Sequence, residues 1–248
     1  MKCLILAAGY ATRLYPLTKN FPKPLLEVKG KTIIDWLIDD LEEGKSIDEY
    51  IIISNHKFIN HFNEWKQNSK IKDRITIIDD GTTDNDNRLG AVCDIDLAIT
   101  KLKINDDLLV MAGDNLLDFS INTFVDYFKK KKATCIMRYY EEDRERLKKS
   151  AQVTIDSTDL VLEMLEKPSN PTSNWCSPAF YIYAKKDVKK VREALADNCP
   201  HDAPGSFINW LYAKSKIYAM EMPGHRYDIG TLENYQKICQ TYQNNDKM

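Results

Sequence analysis

Residues 2–13 read Lys2-Cys3-Leu4-Ile5-Leu6-Ala7-Ala8-Gly9-Tyr10-Ala11-Thr12-Arg13. The run 2–7 is short and apolar, as a buried strand is, and Gly9 marks where it passes into a loop. Outward from it, Ile33, Ile34, Leu37, Ile38 and Leu41 recur at helical spacing over 31–43. Residues 50–53 form a second strand, 58–65 a helix, 75–78 a third strand and 89–102 a helix. A fourth strand over 108–112 ends in Gly113-Asp114. Strands alternating with helices predict an α/β fold with parallel pairing and right-handed crossovers.

The second half is less regular. Helices are expected over 119–128, 188–195, 207–213 and 232–242, and strands over 134–139, 152–155, 161–165, 179–183 and 217–222. Asp156-Ser157-Thr158-Asp159 turns the strands around it into a hairpin. Pro168 and Pro171 mark a loop, as does 223–230. The lysines of 129–132 read as a solvated helix end suited to the helix dipole, and 243–248 as a polar, frayed end.

With 248 residues the chain suits one large domain with a full core. Hydrophobic residues make up 43% and charged residues 29%, which places it among ordinary globular proteins. A formal net charge of −2 supplies no basic field for nucleic acid or an anionic membrane, so any phosphate must be held by local groups. No run approaches the ~20 apolar residues of a membrane span. The 6 cysteines include no CxxC pair and read as buried, reduced thiols. A cytoplasmic location is expected.

In a parallel sheet, ligands bind beyond the carboxyl ends of the strands. Leu6, Ala8 and Gly9 therefore sit where backbone can approach a phosphate, and Arg13 adds a fixed guanidinium fork. Pro22 and Pro24 stiffen the chain around Lys23, whose ammonium can then meet phosphate charge at small entropic cost. The dinucleotide fingerprint is excluded, since Ala11 and Leu14 stand where it needs glycine, and no P-loop follows a strand.

The segment LAAGYATRLYPLTKNFPKPLL resembles the signature of the sugar-phosphate nucleotidylyltransferases, relatives of glucose-1-phosphate thymidylyltransferase, with Ala11 replacing the second glycine of GxGTR. The resemblance implies a Rossmann-like three-layer α/β/α sandwich with a mixed, mostly parallel central sheet, of the nucleotide-diphospho-sugar transferase type. It implies a single domain over 1–248: a nucleotide-binding half at about 1–115, an acceptor half at about 116–231 and a C-terminal helix and tail at about 232–248. It makes Asp114, at the end of a strand, and Asp228, in the WxDIG-like segment Arg226-Tyr227-Asp228-Ile229-Gly230, the ligands of Mg²⁺. Two carboxylates plus substrate phosphates are what that ion takes. Asp118 is read instead as a helix cap.

Glu166-Lys167-Pro168 resembles the family's EKP element, which gives Lys167 the acceptor phosphate and Glu166 the sugar hydroxyls. Ala151 stands where glucose-type members have a glycine against the sugar, and Pro178 where many have another. On the base side Asn85 lies near the position of the family's Gln and Gly90 matches its Gly, leaving dTTP, UTP and CTP open. The segment 202–207 is assigned packing.

The expected reaction is attack of an acceptor phosphate oxygen on the α-phosphorus of an NTP, with pyrophosphate leaving. A phosphate monoester has a second pKa of ~6 and is already ionised at neutral pH. No general base is needed, and His56 and His61 are not spaced as a catalytic pair. The work falls to charge neutralisation and positioning by Arg13 and Lys23. The partners are thus an NTP and a sugar 1-phosphate; family members are often homo-oligomers. The rival expectations are a cytidylyltransferase for an ester such as choline phosphate, and a non-catalytic nucleotide-binding subunit.

Overall fold

The computed structural model describes residues 1–242, so the frayed end expected at 243–248 lies outside the described residues. Strand β1 (Lys2–Leu6) leads through a long loop to the short strands β2 (Glu27–Val28) and β3 (Lys31–Thr32). Then come α1 (Ile33–Gly44), β4 (Glu49–Ser54), α2 (Ile59–Asn68), β5 (Ile75–Asp79) and α3 (Ala91–Lys101). Next are β6 (Leu108–Ala112), β7 (Asn115–Leu117), α4 (Asn122–Lys131), β8 (Thr134–Tyr140) and α5 (Arg144–Leu147). Strands β9 (Ala151–Ile155), β10 (Val161–Leu165), β11 (Trp175–Ser177) and β12 (Phe180–Tyr183) precede α6 (Lys185–Val188), α7 (Lys190–Ala196) and α8 (Gly205–Leu211). The chain closes with β13 (Ile217–Glu221), β14 (Arg226–Asp228) and α9 (Leu232–Thr241).

Its contacts divide the chain into two compact units. The first comprises Met1–Arg88, Ala112–Thr123 and the segment from Pro223 onward; the second comprises Leu89–Met111 and Phe124–Met222.

In the first unit β1, β4 and β5 pair in parallel, with Leu6 opposite Ile53 and Ile53 opposite Ile78. This is the parallel arrangement the alternation of elements predicts. Leu4, Ile5, Ile51 and Ile52 are fully buried, as a strand covered on both faces requires. Helix α1 begins two residues later than its periodicity suggests, because the Thr32 hydroxyl accepts the Asp35 N–H and caps it. Residues 31–32 belong instead to a small hairpin with β2. Leu14, Leu26, Val28, Ile33, Leu116, Ile229, Ile238 and Tyr242 form a separate core cluster that draws on all three segments of the unit.

The segment 223–230, expected as a loop, contains β14, which pairs antiparallel with β7. Neither strand exceeds three residues, and their partners lie far apart in sequence, so period-2 patterning has nothing to register. Residues 119–121 are not helical, although the expected helix began there; Phe119 and Ile121 are buried ahead of α4.

The second unit is mainly antiparallel. Strand β12 pairs with β6 and β8, β11 with β8 and β9, and β9 with β10, while β13 runs parallel to β8. The expected hairpin is present: the Asp156 carboxylate accepts the N–H groups of Thr158 and Leu160, and Asp159 turns the chain at φ 68°. All six cysteines are free; Cys3, Cys135, Cys176 and Cys199 are buried. Among the described residues no helix is long and apolar enough to cross a membrane.

Candidate active site

The loop after β1 is pinned from both sides. The Ala8 carbonyl accepts the Asn55 side-chain amide at 2.9 Å, and the Tyr10 hydroxyl meets the Thr82 hydroxyl at 3.0 Å. The Ala11 carbonyl accepts the Leu14 N–H at 2.9 Å and the Thr18 hydroxyl at 2.8 Å. This curl requires Ala11 to adopt φ 47° and ψ 43°, the left-handed region that glycine occupies without strain. The glycine expected there by resemblance thus has a backbone reason, and the alanine bears a cost. Gly9 is exposed, and nothing stands within 4 Å of where its Cβ would be. That leaves room for a group to come down onto the backbone. Arg13 follows in a single turn of 3₁₀ helix and is exposed.

Lys23 is 7% exposed, in a short helical turn opened by Pro22. Its ammonium donates to Asp114 Oδ2 at 2.7 Å and lies 3.9 Å from Asp228 Oδ1. Three residues far apart in sequence therefore converge around one charge. Burial pushes the Asp114 carboxyl up, but the Lys23 ammonium and the Arg226 guanidinium outweigh it and hold the group below its ordinary value. Gly113 is where the chain passes closest to β1. Its N–H donates to the Leu6 carbonyl at 3.0 Å, and a Cβ would come within 2.9 Å of Ile5. This close approach aims the end of the strand, and with it Asp114.

The β7–β14 ribbon sets Asp228 opposite Asn115. Asp228 is not the cap of α9; the Thr231 hydroxyl is, accepting the Asn234 N–H. Its carboxylate is left half exposed. Asp118, expected as a helix cap, instead accepts the His225 N–H at 2.6 Å and the Tyr227 hydroxyl at 3.2 Å. It secures the turn that leads into β14. Two residues beyond those anticipated join the site. Asn115 donates to Asp114 Oδ1 at 2.7 Å and accepts from Arg226 at 2.7 Å. Their signal was adjacency: each lies one or two residues from an expected metal ligand.

The donor set suits a hard divalent cation. It offers two carboxylates whose near neighbour is a cation and which keep 36% and 52% of their side-chain surface open. No further His, Cys, Asp or Glu completes an all-protein cage among the described residues. A cation held by such a pair would take its remaining ligands from outside the protein.

Within the second unit, Glu166 directly follows β10, whose last residue Leu165 pairs with Gln152, and the neighbouring Ala151 pairs with Ser177. Burial raises the Glu166 carboxyl; Lys167 lowers it and Asp202 raises it further. Lys167 is half exposed, at φ 47°, with its ammonium 4.0 Å from Glu166 Oε1. A Cβ on Gly205 would lie 2.1 Å from Glu166 Oε2, so the segment 202–207, assigned packing, shapes the space behind this carboxylate. Gly90 caps α3 at φ 91°, where a Cβ would strike the His201 carbonyl at 2.6 Å. The first N–H groups of α3 go to the carbonyls of His201 and Asp202.

Asn85 is exposed in a turn of the first unit that Asp84 and Asn87 cap reciprocally. His56 pairs with Asp79 at 2.6 Å, and His61 packs edge-on against Phe21 and Phe58.

A family model described as nucleotidyl transferase matches residues 2–245. Among curated proteins, the bifunctional protein GlmU of Methanococcus aeolicus is 31% identical over 234 residues, covering 93% of this chain and 51% of that protein. The UTP–glucose-1-phosphate uridylyltransferase AglF of Haloferax volcanii is 24% identical, covering 98% of this chain and 97% of that one. The chain spans about half the length of the first curated relatives it matches. Among solved structures, a UDP-glucose pyrophosphorylase complexed with UDP-glucose aligns with a TM-score of 0.82 at 19% identity, covering 97% of both chains. A putative glucose-1-phosphate thymidylyltransferase from Bacillus anthracis aligns at 0.80 and 22%, covering 98% of this chain and 96% of that one. The fold is therefore that of these Rossmann-like nucleotide-sugar pyrophosphorylases.

Proposed function

The chain belongs to the nucleotidyl transferase family, and on that premise we propose that it transfers NMP from an NTP, a pyrimidine NTP first, to a sugar 1-phosphate. The observation that carries this reading is the convergence of Asp114 and Asp228 on the Lys23 ammonium. Asp114 and Asp228 would hold Mg²⁺, which when bound neutralises phosphate charge. The chain's own residues do the rest. The loop at Ala8 and Gly9 receives the triphosphate, Arg13 places a fixed positive fork on it, and Lys23 supplies a compact charge for the reacting phosphates. Leu6 and Gly113 hold that loop and Asp114 at a fixed spacing. Asn85 and Gly90 are assigned to the base, and Ala151, Glu166 and Lys167 to the acceptor, with Lys167 on its phosphate. The attacking oxygen is already ionised, so the residues orient rather than remove a proton.

A second reading is an acceptor ester that carries a cationic group, such as choline phosphate. It would use the Glu166 carboxylate, which lies within the electrostatic reach of Asp202 as well as Lys167, to meet the cationic group. Pyrophosphate release, measured for each NTP against sugar 1-phosphates, amino-sugar 1-phosphates and choline phosphate with Mg²⁺, separates the two. Turnover with a sugar 1-phosphate supports the first reading and turnover with choline phosphate alone the second. No turnover with any pair overturns both.

A further inference from the structure

Arg226 stands two residues before Asp228, where the WxDIG-like pattern carries an aromatic residue, and the proposed chemistry makes no use of it. In the structure its guanidinium donates to Asn115 Oδ1 at 2.7 Å, and Asn115 Nδ2 donates in turn to Asp114 Oδ1 at 2.7 Å. The other Asp114 oxygen, Oδ2, accepts from Lys23. Each of these three bonds has a defined direction. A guanidinium can only donate, so it fixes which end of the Asn115 amide faces it. The NH₂ end is thereby the one turned to Asp114. Asn115 is 3% exposed, so water does not stand in for either contact. Its backbone is also paired with Asp228 across the β7–β14 ribbon.

We propose that Arg226 and Asn115 are positioning residues that lock the rotation of the Asp114 carboxylate and hold it in register with Asp228 for a divalent cation. The proposal rests on the reading of these two aspartates as metal ligands. Asp114 Oδ1 is committed to the relay, and the oxygen now shared with Lys23, Oδ2, is the one offered to the ion. Partners of this kind orient metal ligands from outside the coordination sphere, and their loss costs about 10- to 100-fold in affinity. The sign distinguishes positioning from simple charge. Were Arg226 only a nearby positive charge, removing it would tighten cation binding; as part of a relay, its removal weakens it.

The test is titration of Mn²⁺ into the full chain, with free Mn²⁺ followed by its electron paramagnetic resonance signal, with and without UTP. It compares wild type with Arg226→Met, Arg226→Lys and Asn115→Ala. Arg226 is only half buried, so its variants keep the fold if the buried Asn115→Ala does not. The expected result is binding by wild type, about tenfold weaker binding by Arg226→Met, and partial recovery in Arg226→Lys. Pyrophosphate release should then show a lower kcat with little change in the KM for NTP. If wild type binds Mn²⁺ and a folded Arg226→Met binds as tightly or more tightly, the relay is overturned and the metal assignment stands. If wild type itself binds no Mn²⁺, the metal assignment falls and the relay with it.

Discussion

Replacing Lys23 by methionine keeps most of the unbranched apolar stem and removes the ammonium with its charge and its donors, so two roles of that group can be read separately. The first is structural. Breaking a fully buried ion pair from one side costs about 3–5 kcal/mol, because the remaining charge is stranded. Here Lys23 is buried, but Asp114 keeps 36% of its side chain open and retains its bond from Asn115. Water can replace part of what is lost, which brings the cost to about 1–2 kcal/mol. In a chain of this size that is a fall in Tm of about 2–8 °C. The pH dependence has a definite sign. The folded-state value of Asp114 is held below the ordinary 3.8, so the pair contributes fully at neutral pH and is lost as pH falls below that value. The Tm gap between wild type and variant should therefore narrow in acid. The second role, on the proposed function, is catalytic: a positioned charge on the reacting phosphates is worth about 10²–10³ in kcat. Calorimetry at pH 7 and pH 3, with pyrophosphate release at pH 7, measures all three. A variant with unchanged Tm and turnover within twofold of wild type would refute the placing of Lys23 at the centre of the site.

Three further perturbations separate chemistry from scaffold. Asp228→Asn changes a half-exposed side chain and should alter stability by no more than about 0.5 kcal/mol, while pyrophosphate release drops by about 10²-fold; retained turnover would remove Asp228 from the site. Ala11→Gly relieves a left-handed alanine, a gain of about 1 kcal/mol against an unfolded-state entropy cost of about 0.4–1 kcal/mol. The urea midpoint should stay level or rise, and a clear fall would show that the alanine methyl contributes more by packing than its backbone costs. Glu166→Gln should raise the KM for the acceptor and leave that for NTP unchanged. Because burial raises the Glu166 carboxyl above its ordinary 4.5, its ionised form is a burden at neutral pH. The glutamine variant should melt higher than wild type at pH 7 and lose that advantage as pH falls toward 4.5; equal Tm values at pH 7 would refute the burial argument.

What could be read in advance divides along physical lines. The strands β1, β4, β5 and β6 are continuous apolar runs, and their positions follow from hydrophobicity alone. Arg13 and Lys23 stand out because charged residues set in a small-residue loop or between prolines need a reason, whereas Asp114 and Asp228 are picked out by the family resemblance. The β7–β14 ribbon was not legible, since pairing over such a distance leaves no local period in three-residue strands. Asn115 and Arg226 stayed hidden for the same reason: their bond exists only once that ribbon forms. Asp118 misled because an aspartate before a helix has two uses, and the turn at His225, contributed from far downstream, claimed it first. Gly90 carries a steric demand from His201 that its place in a motif did not disclose.

The ribbon also bears on how the protein is made. The unit that holds Lys23 and both aspartates is assembled from three separate stretches of chain, and the second unit is inserted between them. During synthesis residues 1–88 emerge first, yet the core cluster under β2 and α1 still lacks Ile229, Ile238 and Tyr242. Contacts of such long sequence separation form late, after the loop-closure entropy between their ends has been overcome. A ribosome-bound chain stopped before Asp228 would thus present Lys23 and Asp114 without their second carboxylate. The convergence of both aspartates on Lys23 is in this way withheld until the intervening unit has been translated.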